Sequence, residues 1–147
     1  MKTRRATVTD IKAIAELFSL YRIFYSQEQD LDGSEKFISE RMSKNESVIF
    51  VVEDDFGSII GFVQLYPTFS SVSMKRLWIL NDLYVDKAHR GNNAAKSLLD
   101  ECVAFAKSTG AKGLTLKTAH DNFIAQKLYE SHGWKRDHHY FSYYIGV

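Results

Sequence analysis

The pattern of apolar residues changes character at Val85, and that change limits the folds open to the chain. Before it, long apolar runs follow one another. The stretch "SVIFVVEDDFGSIIGFVQLYP" holds two of them, Val48 to Val52 and Ile59 to Tyr66, around an Asp-Phe-Gly-Ser turn, with Pro67 ending the second. "KRLWILNDLYVD" is a third, and the loop Thr68 to Lys75 closes a second hairpin that extends an antiparallel meander. After Val85 the period becomes helical. From Ala94 the residues Ala95, Leu98, Leu99, Cys102, Val103 and Ala106 follow 3.6-residue spacing, and Gly110 sits where a C-terminal cap belongs. "KGLTLKT" is then a short strand. Strand, helix and strand between residues 76 and 118 require a parallel crossover. The chain is therefore predicted to be an α/β protein with a mixed central sheet, antiparallel in its N-terminal part and parallel at its centre.

The remaining segments supply the flanking helices, about four in all with the one already placed. "RRATVTDIKAIAELFSLYRIFY" opens with a strand-like piece. Thr9 or Asp10 then caps a helix whose Ile11, Ile14, Ala15, Leu17, Phe18 and Tyr21 recur at helical spacing. "DGSEKFISERMSK" offers Ser34 as the cap of a second, shorter helix with Phe37, Ile38 and Met42 on one side. "NFIAQKLYESHG" is a helix ended by Gly133, and "WKRDHHYFSYYIGV" reads as a final pair of strand-like pieces.

Composition closes off several function classes. A chain of 147 residues, 45% hydrophobic and without repeat or linker, is expected to be one domain over residues 1–147. Its 19 basic and 18 acidic residues nearly cancel, so no global field draws it to nucleic acid or to a membrane surface. There is no apolar stretch of membrane-spanning length and no N-terminal targeting pattern, and the expectation is a soluble cytoplasmic protein. The single Cys102 cannot form an internal disulfide, and on the apolar helix face it reads as a buried, inert thiol. His89, His120, His132, His138 and His139 show no metal-ligand spacing, so no metal is expected. A G-x-S-x-G motif is also missing. The C-terminal aromatics lack the basic groove that stacking on nucleic acid requires, and read as strand, core and, in a homodimer, subunit contact.

"AHRGNNAAKSLLDECVAFAK" is the stretch that points to a ligand. A strand that feeds a Gly/Asn turn and then a helix start gathers unpaired N–H groups and the positive end of a dipole at one place, which suits an anion. Arg90 adds a guanidinium. A plainer reading is a polar cap with no ligand. Neither the G-x-x-x-x-G-K-[ST] nor the G-x-G-x-x-G phosphate motif occurs among the eight glycines.

These residues match a known pattern. "LYVDKAHRGNNAAKSLL" resembles the acetyl-CoA-binding segment of the GNAT N-acetyltransferase superfamily, a hydrophobic strand followed by Arg/Gln-x-x-Gly-x-Gly/Ala and a helix with paired leucines. The frame falls on Arg90, Gly91, Asn92, Asn93, Ala94 and Ala95. "NFIAQKLYESHGW" resembles the family's Asn-x-x-Ala-x-x-x-Tyr-x-x-x-Gly-Phe, with Asn122, Ala125, Tyr129, Gly133 and Trp134 in register. "IIGFVQLYP" followed by "LWILNDLYV" is similar to the branch that contains fungal histone and polyamine acetyltransferases and small bacterial relatives. Asn93 stands where the family's first glycine belongs, and asparagine is among the few other residues that tolerate left-handed geometry.

The resemblance implies a splayed parallel centre in which the pantetheine arm runs along Leu83, Tyr84 and Val85 like an added strand. The pyrophosphate would rest on the N–H groups from Arg90 to Lys96, with Asn122 and Tyr129 facing the thioester. It implies acetyl-CoA as co-substrate and a primary amine as acceptor, either a small molecule or a lysine side chain. A free alkyl amine has a pKa near ~10, so a base near the acceptor helps it attack. Asp82 is the expected base, directly or through water, although a strand-end carboxylate that caps a turn is the alternative. Tyr129 is the expected acid for the leaving thiolate, against a plain role as a core aromatic. The acidic segment "YSQEQDLDGSE", with Glu28, Asp30, Asp32 and Glu35, would draw a polyamine or lysine-like acceptor if it faces the site, with Tyr25 and Tyr66 flanking the aliphatic stem. Otherwise it is a solvated loop. A same-fold transferase using another acyl-CoA and a non-catalytic acyl-CoA sensor are the alternatives to the acetyltransferase.

Overall fold

In the computed structural model, which describes residues 1–147, the apolar runs pair in chain order into one five-stranded sheet, β1 to β5. The strands are β1 Lys2–Arg5, β2 Val48–Glu53, β3 Ile59–Ser70, β4 Lys75–Val85 and β5 Gly113–Thr115. Every neighbouring pair is antiparallel except β4 and β5, which are parallel. The helices are α1 Ile11–Phe24, α2 Leu31–Ser43, α3 Ala94–Ser108 and α4 Phe123–Ser131. The sheet with α1, α2 and α3 makes up one compact unit, Met1–Lys117, and α4 with the C-terminal segment makes up another, Thr118–Val147.

Strand alternation distributes the core of the first unit over two faces. On β2, Ile49 and Val51 join Ile14, Leu17 and Phe18 of α1, Ile38 of α2 and Phe62 of β3 in one buried cluster. Phe50, between them, points the other way and meets Phe105 of α3 with ring centroids 5.4 Å apart. Helices therefore cover both faces of the sheet, which explains why β2 reads as a continuous apolar run. Leu98, Leu99, Cys102 and Ala106 form the buried stripe of α3. Burial pushes the Cys102 thiol up to about 12, so it stays protonated and inert.

The helix entries correct two sequence expectations. Asp10 directly precedes α1, but its carboxylate turns back to accept from the Thr7 backbone N–H at 2.7 Å rather than from a helix N–H. Ser34 does not cap α2. Asp30 does, accepting from the Gly33 N–H at 2.8 Å, while Ser34 lies buried in the first turn and donates to the Asp30 carbonyl. An aspartate three residues ahead of a free N–H reaches it without bending the chain, so the helix starts a turn earlier than the serine suggested.

Two strand expectations also change. Pro67 does not end β3, which continues to Ser70 with Pro67 opposite Trp78. Pairing between β2 and β3 stops at Leu65, so the proline lies where one edge of β3 is open and a missing donor is tolerated. The expected C-terminal pair does not form: no residue after Thr115 is in a strand, and Tyr140, Phe141, Tyr143 and Tyr144 are 85% to 94% exposed. Strand propensity is realised only against a partner strand and a face to bury, and these aromatics have neither.

Candidate active site

The site grows from the place where β4 leaves β5. The parallel pair matches only Leu77, Trp78 and Ile79 with Gly113, Leu114 and Thr115, whereas β4 runs on to Val85. From Leu80 onward the β5 side of β4 is unpaired, and its other side is held by β3. This open stretch contains Leu83, Tyr84 and Val85 and offers main-chain groups to a ligand that can run as a strand.

A bulge sits at the same point. Gln64 faces Asp82 but Leu65 faces Leu80, so Asn81 is an extra residue in β4. Its effect is to switch faces. Trp78, two residues before Leu80, meets Phe105 on the α3 side, whereas Tyr84, two residues after Asp82, packs against the α1 cluster. Without the bulge, Asp82 would share the α3 side with Trp78 and Leu80. With it, Asp82 turns toward α1, only 3% exposed.

There its carboxylate meets a polar group of neighbours. Gln64 donates from Nε2 to Oδ2 at 2.6 Å, and Asn81 donates from Nδ2 to Oδ1 at 3.1 Å. The Tyr21 hydroxyl, which also lies near the carboxylate, donates to the Asn81 carbonyl at 3.3 Å. Burial raises the Asp82 pKa above the usual carboxylate range, and the neighbouring Gln64, Tyr21 and Asn81 side chains partly offset it. Burial and the Asp82 charge raise both neighbouring phenols, Tyr66 to about 12 and Tyr21 further. The Tyr66 hydroxyl lies 3.2 Å from Gln64 Nε2, and the Tyr25 ring lies 4.9 Å from that of Tyr21, tilted by 60°. Tyr21 and Tyr66 thus border one buried acid, with Tyr25 behind Tyr21.

The turn between β4 and α3 has the backbone of an anion cradle. Gly91 has φ of +86° and Asn93, directly before α3, has φ of +62° and ψ of +9°. Asn93 makes no side-chain cap, so the first N–H groups of α3 keep their donors available. Arg90 donates from Nε to the Val85 carbonyl at 3.0 Å, and its guanidinium lies over the Tyr84 ring at 5.4 Å. Its charge is thereby anchored at the end of β4.

In the second unit, Asn122 caps α4 by accepting from the Ala125 N–H at 3.1 Å, which gives the Asn-x-x-Ala spacing a structural reason. Tyr129 lies on α4 with its ring 5.9 Å from Trp134, and Gly133, at φ of +96°, follows the helix end.

A strand with an open edge, a bulge, a left-handed turn and a helix is an arrangement that comparison with known proteins can place. Residues 13–134 match the model of the acetyltransferase (GNAT) family. The chain belongs to the GNAT acetyltransferase family. An uncharacterized N-acetyltransferase of Bacillus subtilis is 48% identical over 147 residues, covering 100% of this chain and 98% of the relative. A probable acetyltransferase of Haemophilus influenzae is 30% identical over 135 residues, 92% of this chain and 90% of the relative. The crystal structure of a probable acetyltransferase superposes with a TM-score of 0.95 at 38% identity, covering 100% of this chain and 98% of that one. The protein is thus a GNAT acyltransferase, of a family that uses acetyl-CoA.

Within this GNAT enzyme the residues expected from sequence fall into four groups. Asp82, Leu83, Tyr84, Val85 and the segment Arg90 to Lys96 lie along β4 and the turn that follows it, in one unit. Tyr25 and Tyr66 lie beside Asp82 through Tyr21 and Gln64. Asn122 and Tyr129 belong to the other unit. The acidic segment has jobs of its own: the Asp30 carboxylate caps α2, and the Glu28 carbonyl accepts from the Arg22 guanidinium at 3.2 Å. Sequence reading passed over Gln64 and Tyr21. Gln64 did leave a signal, being a lone amide inside the apolar run Ile59 to Tyr66.

Proposed function

We propose that residues 1–147 act as a single cytoplasmic N-acetyltransferase domain that moves the acetyl group of acetyl-CoA to a primary amine, a small cationic one such as a polyamine or a lysine-like side chain. The observation that carries this reading is the buried carboxylate of Asp82, turned by the Asn81 bulge to the base of the open β4 edge. The family match across residues 13–134 spans both units and supports treating them as one domain.

In this reading the pantetheine arm lies along Leu83, Tyr84 and Val85, and the pyrophosphate takes the N–H groups from Arg90 to Lys96. The amine nitrogen attacks the thioester carbonyl carbon, the C–S bond breaks, the amine's proton passes to Asp82, and the thiolate takes a proton from Tyr129. Asn122 borders the thioester end. A carboxyl lifted above its ordinary range by burial is a better partner for an amine near pKa ~10 than a solvated one. Only the ionised form accepts the proton, so kcat/KM falls as pH drops through the Asp82 pKa. Tyr21 and Tyr66 beside the Asp82 charge, with Tyr25 against Tyr21, suit a cationic acceptor with an aliphatic stem. Glu28 and Asp30 add negative charge at the head of α2. The exposed aromatics from Tyr140 to Tyr144 fit the contact of a homodimer.

Acetyl-CoA consumption measured against polyamines, amino acids, aminoglycosides and histone-tail peptides tests the reading. Turnover is expected with cationic amines, and Tyr129→Phe lowers kcat by about 10 to 10³-fold with acetyl-CoA binding retained. Unchanged turnover in Tyr129→Phe removes Tyr129 from the chemistry. Binding of acetyl-CoA without turnover of any amine favours a sensor, and turnover only with a longer thioester favours another acyl-CoA.

A further inference from the structure

We propose that Gln64 is a positioning residue for acyl transfer, holding the Asp82 carboxylate in the orientation from which it accepts the amine's proton. The inference rests on the reading of Asp82 as the base.

Gln64 lies on β3 with 0% exposure, between the equally buried Val63 and Leu65. If packing alone decided the position, an aliphatic residue would serve it better, because a buried amide must find partners for its donors and its acceptor. Gln64 does not satisfy them all. Nε2 donates to Asp82 Oδ2 at 2.6 Å and approaches the Tyr66 hydroxyl at 3.2 Å, while Oε1 is buried and accepts from no protein group. The reverse orientation of the amide would set Oε1 against an ionised carboxylate, which only accepts. The amide is therefore committed to donating to Asp82, even with its own oxygen left unpaired.

Register supports the assignment. The Asn81 bulge is what sets Asp82 directly across from Gln64, so the feature that turns the acid also supplies its donor. The groups near Asp82 are Tyr21 from α1, Gln64 and Tyr66 from β3, and Asn81 from β4, with Tyr25 just after α1 acting on Tyr21 and Arg41 of α2 acting on Tyr66. Gln64 is the donor on Oδ2, whereas Asn81 serves Oδ1. Removing it leaves Oδ2 without that bond, and the charged form of Asp82 becomes harder to keep.

The test combines carboxyl titration with kinetics. In the wild type, the Gln64 side-chain amide resonances should titrate with the same midpoint as the Asp82 side-chain carboxyl, which is assigned by its loss in Asp82→Asn. In Gln64→Met, close in shape and without a donor, that midpoint should rise by about one pH unit. The acidic limb of kcat/KM should rise with it, while KM for acetyl-CoA stays unchanged and activity recovers at alkaline pH. Gln64 amide resonances that ignore the Asp82 titration, or an unmoved midpoint in folded Gln64→Met, would overturn the proposal. An acidic limb that survives in Asp82→Asn instead overturns the base assignment, and the wild-type titration still decides whether Gln64 holds the carboxylate.

Discussion

Asn93 holds a left-handed backbone at φ of +62°, a conformation that few residues other than glycine adopt. Left-handed geometry costs an ordinary L-residue roughly 1–2 kcal/mol, and asparagine and glycine are the usual residues that adopt it. A β-branched replacement meets the full steric cost at Cβ. Asn93→Val should therefore lower unfolding free energy by about 1–2 kcal/mol and weaken acetyl-CoA binding, whereas Asn93→Gly should keep or improve it. Calorimetric titration of the two variants checks both, and an unaffected valine variant would mean that the turn relaxes to another backbone.

At the scale of elements, an ion cluster fastens β1, the entry to α1 and β2. Arg4 donates to Asp10 at 2.7 and 2.9 Å and pairs with Glu53 at 2.6 Å. Hydrogen bonds from Arg4, ahead of the opposing effect of burial, hold the Asp10 carboxyl down at about 2. Its folded pKa lies below the unfolded value of 3.8, so the stability it contributes is fully present above about pH 4 and is lost as pH falls toward 2. Arg4→Met should cost about 2 kcal/mol at pH 7, because it leaves Asp10 buried without its cation, and should flatten the acid dependence over that window. Urea unfolding at a series of pH values measures both effects. The Asn81 bulge belongs to this scale as well. "ILNDLYV" reads as one continuous strand, and nothing within it announces which residue is the extra one; only pairing with β3 shows that Gln64 takes Asp82 while Leu65 takes Leu80.

For the whole molecule, ligand and partner are the terms that remain. A ligand bound only by the native state stabilises it by RT ln(1 + [L]/Kd), so acetyl-CoA at about 100 times Kd should add roughly 2.7 kcal/mol, and NAD far less. An equal melting shift with NAD would contradict the proposed cofactor site. Light scattering should report a homodimer, and Tyr143→Ser with Tyr144→Ser should shift it toward monomer, since those rings are 92% and 94% exposed. A wild type that scatters as a monomer would leave the aromatics without that role. No helix of the chain is long and apolar enough to cross a membrane.

What the sequence determined by itself was whatever depends on local period and turn chemistry. The change from strand to helical spacing after Val85 fixed the parallel crossover, and the Gly91 and Asn93 turn was legible because few other residues tolerate positive φ. Asp82 was singled out through the family resemblance, as an acid on the strand beside the expected thioester carbonyl. The tertiary structure decided what depends on residues far apart in the chain. It assigned Gln64 and Tyr21 to Asp82 across 18 and 61 positions, because register and helix packing create those neighbours. It gave the cap of α2 to Asp30 rather than Ser34, because the free N–H to be satisfied was that of Gly33. It left "HHYFSYYIGV" outside the sheet, because strand-forming residues make a strand only where another edge receives them, and that edge is not written in the segment itself.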